Sequence, residues 1–241
     1  GIYETGAASN NNSLFFNTIY IGGSLASSAT NTSYAIYSAV TTNTRDFRNN
    51  VLINARSTAS GTSKHFALYI VTSGGTITCN YNNYYISGTG GVLGYYAANK
   101  TALPIVTSND ANSIITNPSL SNAGGTTASD YIPTNRGTGV TGTGVTVDYD
   151  GNTRLSNVTM GAFEYFLPPV ISSFSPTSAK PGDAVTLTGV HFNPTTANNI
   201  VFFGATQATV TAASATSLSL TVPTGASYAP ITVLNTGTVL S

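Results

Sequence analysis

Charge is scarce in this chain. Only 7% of its residues are Asp, Glu, Lys or Arg, and the two signs balance at eight each. A nucleic-acid surface needs a basic patch to neutralise phosphates, so that class is excluded. The apolar fraction is nonetheless ordinary, 41% of the chain, which excludes intrinsic disorder. No apolar run approaches the roughly 20 residues of a membrane-spanning helix. Cysteine is nearly absent. Cys79 stands alone, which leaves no internal disulfide and no cysteine-based metal site. Alternation in Thr76-Ile77-Thr78-Cys79-Asn80 puts Ile77 and Cys79 on one face, where Cys79 serves as a small buried hydrophobe. A reactive thiolate would need a base; His65 lies one corner away, and no other residue supports that pairing.

Carboxylates are scarcer still in the first half of the chain: Glu4, Asp46 and Asp110, set against Arg45, Arg48, Arg56, Lys64 and Lys100. A glycoside hydrolase needs two carboxylates facing one bond. Glu4 and Asp46 do not occupy equivalent positions, and Asp46 reads as a surface partner of Arg45 and Arg48. No catalytic residue and no cofactor is expected in this stretch.

What is present is repetition. Gly1-Ile2-Tyr3, Ala35-Ile36-Tyr37 and Ala67-Leu68-Tyr69 share the shape small–aliphatic–tyrosine, 34 and 32 residues apart. A second series runs in the same period: Asn17-Thr18-Ile19-Tyr20-Ile21, Asn49-Asn50-Val51-Leu52-Ile53 and Asn82-Asn83-Tyr84-Tyr85-Ile86. Such a period marks units that bury their apolar face only against their neighbours. The segments are short, rich in Ile, Val, Tyr, Phe and Thr, and broken by Asn, Gly, Ser and Thr, so they read as strands. The predicted fold is all-β: a right-handed parallel β-helix. Ile2, Ile36 and Leu68 would form one interior ladder, and Ile21, Ile53 and Ile86 another. Asn17, Asn49 and Asn82 suit corners and could stack as an amide ladder. The polar runs 24–33 and 55–63 read as loops. The chain opens directly on a repeat, which predicts further turns ahead of Gly1.

The period weakens after Ala97. Lys100-Thr101-Ala102-Leu103 reads as a short helical turn, Ile114-Ile115 as a last irregular turn, residues 124–144 as exposed loop, and Val145-Thr146-Val147 as a strand. Then come Asp148-Tyr149-Asp150-Gly151-Asn152-Thr153-Arg154 and Gly161-Ala162-Phe163-Glu164-Tyr165. This pair resembles the closing element of secreted bacterial right-handed β-helix proteins, an Asp-x-Asp-Gly-x-x-Arg turn before a Gly-Ala-x-Glu-Tyr/Phe strand. Asn117-Pro118-Ser119-Leu120 and Asp130-Tyr131 resemble the approach to that end. The resemblance implies where the fold ends, not an activity.

Leu167-Pro168-Pro169 is a semi-rigid spacer and divides the chain into residues 1–166, a linker 167–169, and residues 170–241. Beyond it, short strands with Gly/Pro punctuation predict a β-sandwich. Ile171, Pro176, Gly182, Val185, Leu187, Gly189, Phe192, Val201, Phe203, Gly204, Val222, Pro223, Ile231 and Val233 resemble an IPT/TIG domain, an immunoglobulin-like module. That pattern predicts a further strand near Ser241 and makes His191 a surface residue.

Three sets of residues are candidate sites. Asp148 and Asp150, alternate carboxylates before a glycine, could begin a calcium loop. Without a glutamate at the twelfth position they also read as a plain turn, with Arg154 pairing one aspartate. Tyr3, Tyr37 and Tyr69, or Tyr20 and Tyr84, could form an aromatic strip for sugar rings, or could pack inside. The threonines do not repeat as an ice-binding face would require. The combination resembles long Bacteroidota-type surface proteins, including adhesins. It implies an extracellular or cell-surface segment, structural or adhesive. Its expected partners are other domains of one long chain, surface glycans or an anchoring and export machinery, with no nucleic acid. A part of a polysaccharide-active enzyme, or an export cargo, is the competing reading.

Overall fold

The computed structural model describes residues 1–5, 10–26, 30–40, 42–59, 62–71, 74–164 and 168–236. They are almost entirely β, with two short 3-10 turns at Ala128–Tyr131 and Thr196–Asn198. The chain divides into two compact units, Gly1–Tyr165 and Phe166–Ser241.

In the first unit, strands one repeat apart pair in parallel. β1 (Ile2–Glu4), β5 (Ser33–Ser38), β9 (His65–Ile70) and β12 (Gly91–Tyr96) form one column. β2 (Asn12–Phe15), β6 (Thr44–Arg48) and β10 (Thr76–Asn80) form a second. β3 (Thr18–Ile21), β7 (Val51–Asn54) and β11 (Asn83–Ile86) form a third. A fourth, two-strand column joins β4 (Ser24–Leu25) to β8 (Ser57–Thr58). The polar runs expected to be loops therefore each contain a short strand; residues 27–29, 60 and 61 of those runs lie outside the described residues.

The interior is apolar and shared by three columns. Ile2, Ile36 and Leu68 do align in one rung series, and the last two are fully buried. They meet Phe47 from β6, Leu52 from β7 and Cys79 from β10 in one core. Each fully buried aliphatic contributes about 1.5–3 kcal/mol. The series ends at Gly94, where an added Cβ would lie 2.7 Å from Ile105. Ile105, fully buried, arrives from an irregular segment and fills the position a side chain on that strand would have taken.

The second expected ladder is corrected by one residue. Ile21 pairs with Asn54, and Asn54 with Ile86; Ile53 instead aligns with Tyr20 and Tyr85. A shift of one residue exchanges the two faces of a strand. Ile53 accordingly leaves the interior and joins Val51 and Met160 in a separate cluster. The closing segment supplies that cover. Gly161 N–H donates to Asn49 O at 2.8 Å and Ala162 N–H to Thr18 Oγ1 at 3.0 Å.

Local expectations after Ala97 also shift. The predicted helical turn is occupied by β13 (Ala98–Lys100), antiparallel to β12, followed by bends. Val145–Val147 is not a strand; Val147 forms a lone bridge to Thr153. Gly161–Glu164 is a run of bends whose main chain is used against the third column. Ile114 bridges Asn83 in parallel, as befits a last irregular turn. Tyr165 and Leu167 lie outside the described residues.

The second unit is antiparallel. β14 (Val170–Ser175), β15 (Ala184–Val190), β16 (Asn199–Phe203), β17 (Thr206–Ala213), β18 (Ser217–Thr221) and β19 (Ile231–Asn235) run in the order β14-β15-β18-β17-β16-β19. β15 alternates strictly, with Val185, Leu187 and Gly189 inward. They pack with Phe192, Val201, Leu218 and Leu220. Gly189 is required by space, since a Cβ there would lie 2.1 Å from Val170 O and 2.6 Å from the Phe192 ring. His191 is exposed, and its Nδ1–H donates to Pro168 O at 3.2 Å.

An unpaired charge placed in the first core has no polar partner, so Ile36→Asp should unfold the first unit, at a cost above about 4 kcal/mol. Thermal melting followed by circular dichroism checks this. A variant that melts with the parent would show the rung register to be wrong.

Candidate functional site

The corners carry the most ordered polar chemistry. Between the second and third columns, Phe16, Asn49 and Tyr81 each take left-handed backbone, with φ of 56°, 62° and 55°. The residue after each is an inward asparagine: Asn17, Asn50 and Asn82. Asn17 Nδ2–H donates to Asn50 Oδ1 at 2.9 Å, and Asn50 Nδ2–H to Asn82 Oδ1 at 3.0 Å. The main-chain N–H groups of Asn17 and Asn50 reach the same two oxygens at 3.0 and 2.9 Å. The amide ladder exists, but its middle member is Asn50. Asn49 faces the other way, exchanging hydrogen bonds with Val140 N and O at 2.8 and 2.7 Å. The expectation that Asn49 would be the middle member is thus corrected by one residue, and the left-handed turn at Asn49 is the cause.

The outward face of the first column is aromatic. Tyr3, Tyr37, Tyr69 and Tyr95 stack in succession, with centroids 5.1, 5.2 and 4.4 Å apart and planes within 8° of parallel. Tyr95 was missed in sequence because β12 follows β9 by a shortened repeat. Tyr34 and Phe66 stack beside them at 5.7 Å and meet Tyr37 and Tyr69 edge-on. Burial, then the neighbouring phenols, push the Tyr37 and Tyr69 hydroxyls above the usual tyrosine value. Tyr20 and Tyr84 do not form a strip. Tyr84 is fully buried, whereas Tyr20 aligns with Tyr85 through Ile53 and tilts against Tyr131.

Asp148 and Asp150 part company. Asp148 is buried and accepts four hydrogen bonds: from Asp150 N at 3.0 Å, Asn152 N at 2.8 Å, Asn152 Nδ2 at 3.3 Å and Glu164 N at 2.9 Å. A cation at this carboxylate would have to displace those donors. Asp150 is exposed. Among the described residues no group of three or more His, Cys, Asp or Glu could hold a metal ion. Arg154 pairs with Glu164 at 3.1 Å rather than with an aspartate, and its guanidinium lies 3.6 Å from the Phe16 ring centroid. Burial lowers the Arg154 pKa and raises that of Glu164, outweighing their mutual attraction on both sides.

Arg45 is the charged residue whose place the sequence concealed. Alternation turns it inward, away from Asp46, and leaves Asp46 bidentate with Arg48 at 2.7 Å. Arg45 donates to Ser38 Oγ and to Gly74 O, and Ser38 Oγ–H donates to Glu4 Oε2 at 2.5 Å. Burial lowers its pKa, against the pull of Glu4.

Cys79 and His65 do not meet. Cys79 is fully buried against the Tyr84 hydroxyl at 3.0 Å, and desolvation raises its thiol pKa well above the ordinary value. Tyr84 donates to Asp110, which also receives Ser113 Oγ–H and the main-chain N–H groups of Ile105 and Val106. Asp110 thus ties the irregular segment to the interior. His65 lies between Ser33 Oγ at 2.9 Å and Thr58 Oγ1 at 2.7 Å, fully buried. Burial, then the Arg56 charge, hold its pKa below 6.5.

Two outcomes follow. Removing one partner of the buried ion pair leaves the other uncompensated, so Glu164→Leu or Arg154→Met alone should cost about 3–5 kcal/mol, and the double variant much less than their sum. Urea denaturation checks the cycle; additive losses would sink the pairing. His65 binds a proton more readily unfolded than folded, so its contribution is complete above about pH 6.5 and is lost as pH falls below it. Between about pH 7 and 5.5, His65→Gln should flatten the slope of stability against pH. An unchanged slope would show that His65 is not its source.

One comparison with known proteins bears on the second unit. A comparison with curated proteins found no significant match. Among solved structures, an auxiliary nutrient binding protein from Bacteroides thetaiotaomicron VPI-5482 is 33% identical over 24% of this chain, with a TM-score of 0.23. The matched stretch spans 14% of that protein's length. No helix among the described residues is long and apolar enough to cross a membrane. The family model of the IPT/TIG domain matches residues 169–241, which encompass the antiparallel sheet β14–β19 and the core of Val185, Leu187, Phe192, Val201 and Val222, and this part of the chain is therefore an IPT/TIG domain.

Proposed function

We propose that the chain is a structural or adhesive, non-catalytic segment of a secreted or cell-surface protein. In this reading the four parallel columns are faces of a right-handed parallel β-helix, which supplies a rigid support, and the IPT/TIG domain supplies a second module. The in-register parallel pairing and the shared interior support the β-helix. The low charge and the abundance of Ser, Thr, Asn and Gly support an extracellular setting, and the resemblance to Bacteroidota-type surface proteins points the same way.

The observation that carries the non-catalytic reading is how the carboxylates are used. Glu4, Asp46, Asp110, Asp148 and Glu164 each accept hydrogen bonds inside the first unit. Asp130 closes a turn on Thr127, and Asp183 accepts from Lys180 N–H. Glycoside cleavage needs two carboxyl groups opposed across one bond, at separations of about 5–9.5 Å and free to exchange protons. Carboxylates so committed do not meet that need, and exposed Asp150 by itself is one carboxyl group where two are required.

Incubation with neutral and acidic polysaccharides should release neither new reducing ends nor unsaturated uronate products. Antibody to the chain should label intact cells of its source. Sustained product release would overturn the non-catalytic reading, and labelling only after lysis would overturn the surface location.

A further inference from the structure

The tyrosine column has a geometry that selects a ligand. Both flat faces of Tyr37 and of Tyr69 are covered by neighbouring rings, so a sugar cannot stack on them as on an isolated aromatic. The row instead offers ring edges and phenol hydroxyls, one per strand, at steps of 5.1, 5.2 and 4.4 Å. Tyr34 and Phe66, edge-on to it, hold the rings in orientation. Tyr34 is otherwise occupied, with its hydroxyl on Thr32 Oγ1 at 2.5 Å. The four strands of the column present no exposed charge among the described residues; Lys64 directly precedes β9 and Lys100 lies on β13. Glu4 is the one carboxylate in β1, β5, β9 and β12, it is buried, and none of these strands contains Lys or Arg.

Building on the adhesive reading above, we propose that this column binds an extended, neutral, equatorially linked hexopyranose chain lying across the strands, one sugar per tyrosine. Parallel strands lie about 4.7–4.9 Å apart, close to the length that one such sugar adds to the chain. Each sugar can then exchange a hydrogen bond with one phenol. A polyuronate finds no Lys or Arg on the four strands of the column, and an α-linked glucan curls away from a straight row. Locked rings lower the entropy lost on binding. With their pKa values raised, Tyr37 and Tyr69 remain hydrogen-bond donors from about pH 6 to 9, so affinity should be flat across that range.

Cellohexaose titrated into the full 241-residue chain tests this, by calorimetry and by tyrosine fluorescence, which no tryptophan obscures. Cellohexaose should bind, cellobiose at least tenfold more weakly, and maltohexaose and hexagalacturonate not at all. The double variant Tyr37→Phe/Tyr69→Phe keeps the stack and loses two hydroxyls. It should melt with the parent and bind cellohexaose roughly tenfold more weakly. The proposal fails if the folded chain ignores cellohexaose, if the double variant binds it equally well, or if all four sugars bind alike. It also fails if sedimentation shows a dimer that the double variant abolishes, since a second copy would then cover the face. In these outcomes the non-catalytic reading stands. Cleavage of cellohexaose would instead overturn that reading, and the binding comparison with the double variant would still decide the ligand site.

Discussion

Everything in the first unit depends on one register, the parallel main-chain pairing of each strand with its counterpart in the next repeat. Tyr3, Tyr37 and Tyr69 stack because their α-carbons are partners across that ladder. Ile2, Ile36 and Leu68 share the interior for the same reason. A slip of one residue would exchange the aromatic face with the aliphatic core. The register therefore sets the interior, the outward face and any surface a ligand could meet.

The corners hold that register in place. A left-handed residue turns the chain, and the asparagine that follows is drawn inward, where its amide bonds the next asparagine and nearby main chain. Asn50 Nδ2–H reaches Leu14 O as well as Asn82 Oδ1, so one side chain joins three successive sequence repeats. Buried polar groups are stabilising only when satisfied, and these amides satisfy one another only at one alignment. The closing segment uses the same corner from outside, through Asn49.

The unit's end is built from charge where its middle is built from apolar contacts. Arg154, Glu164 and Asp148 organise a stretch with almost no regular secondary structure. Asp110 does similar work inside, anchoring the segment that brings Ile105 over Gly94. Scarce carboxylates thus hold irregular backbone. In the second unit buried amides do this, Asn199 Nδ2–H donating to Asn193 O and Thr195 O and Asn235 Nδ2–H to His191 O.

Much of this was legible in the amino-acid sequence. Repeat period, all-β character, the Ile2–Ile36–Leu68 series, the tyrosine column and the IPT/TIG pattern are all carried by residue type and spacing, because pairing of strands one repeat apart makes sequence period equal spatial neighbourhood. What stayed hidden required knowledge of backbone direction or of distant partners. Asn49 and Asn50 are chemically identical, so only the left-handed turn decided which one points inward, and with it whether Ile53 or Leu52 faces the core. Arg45 and Arg48 flank one aspartate alike, and only the pleat turned the first inside. Arg154 found Glu164 ten residues on, and Tyr95 joined the column after a shortened repeat. In each case the deciding quantity was the direction of a side chain, which depends on local φ and ψ and on the segment packed against it rather than on composition.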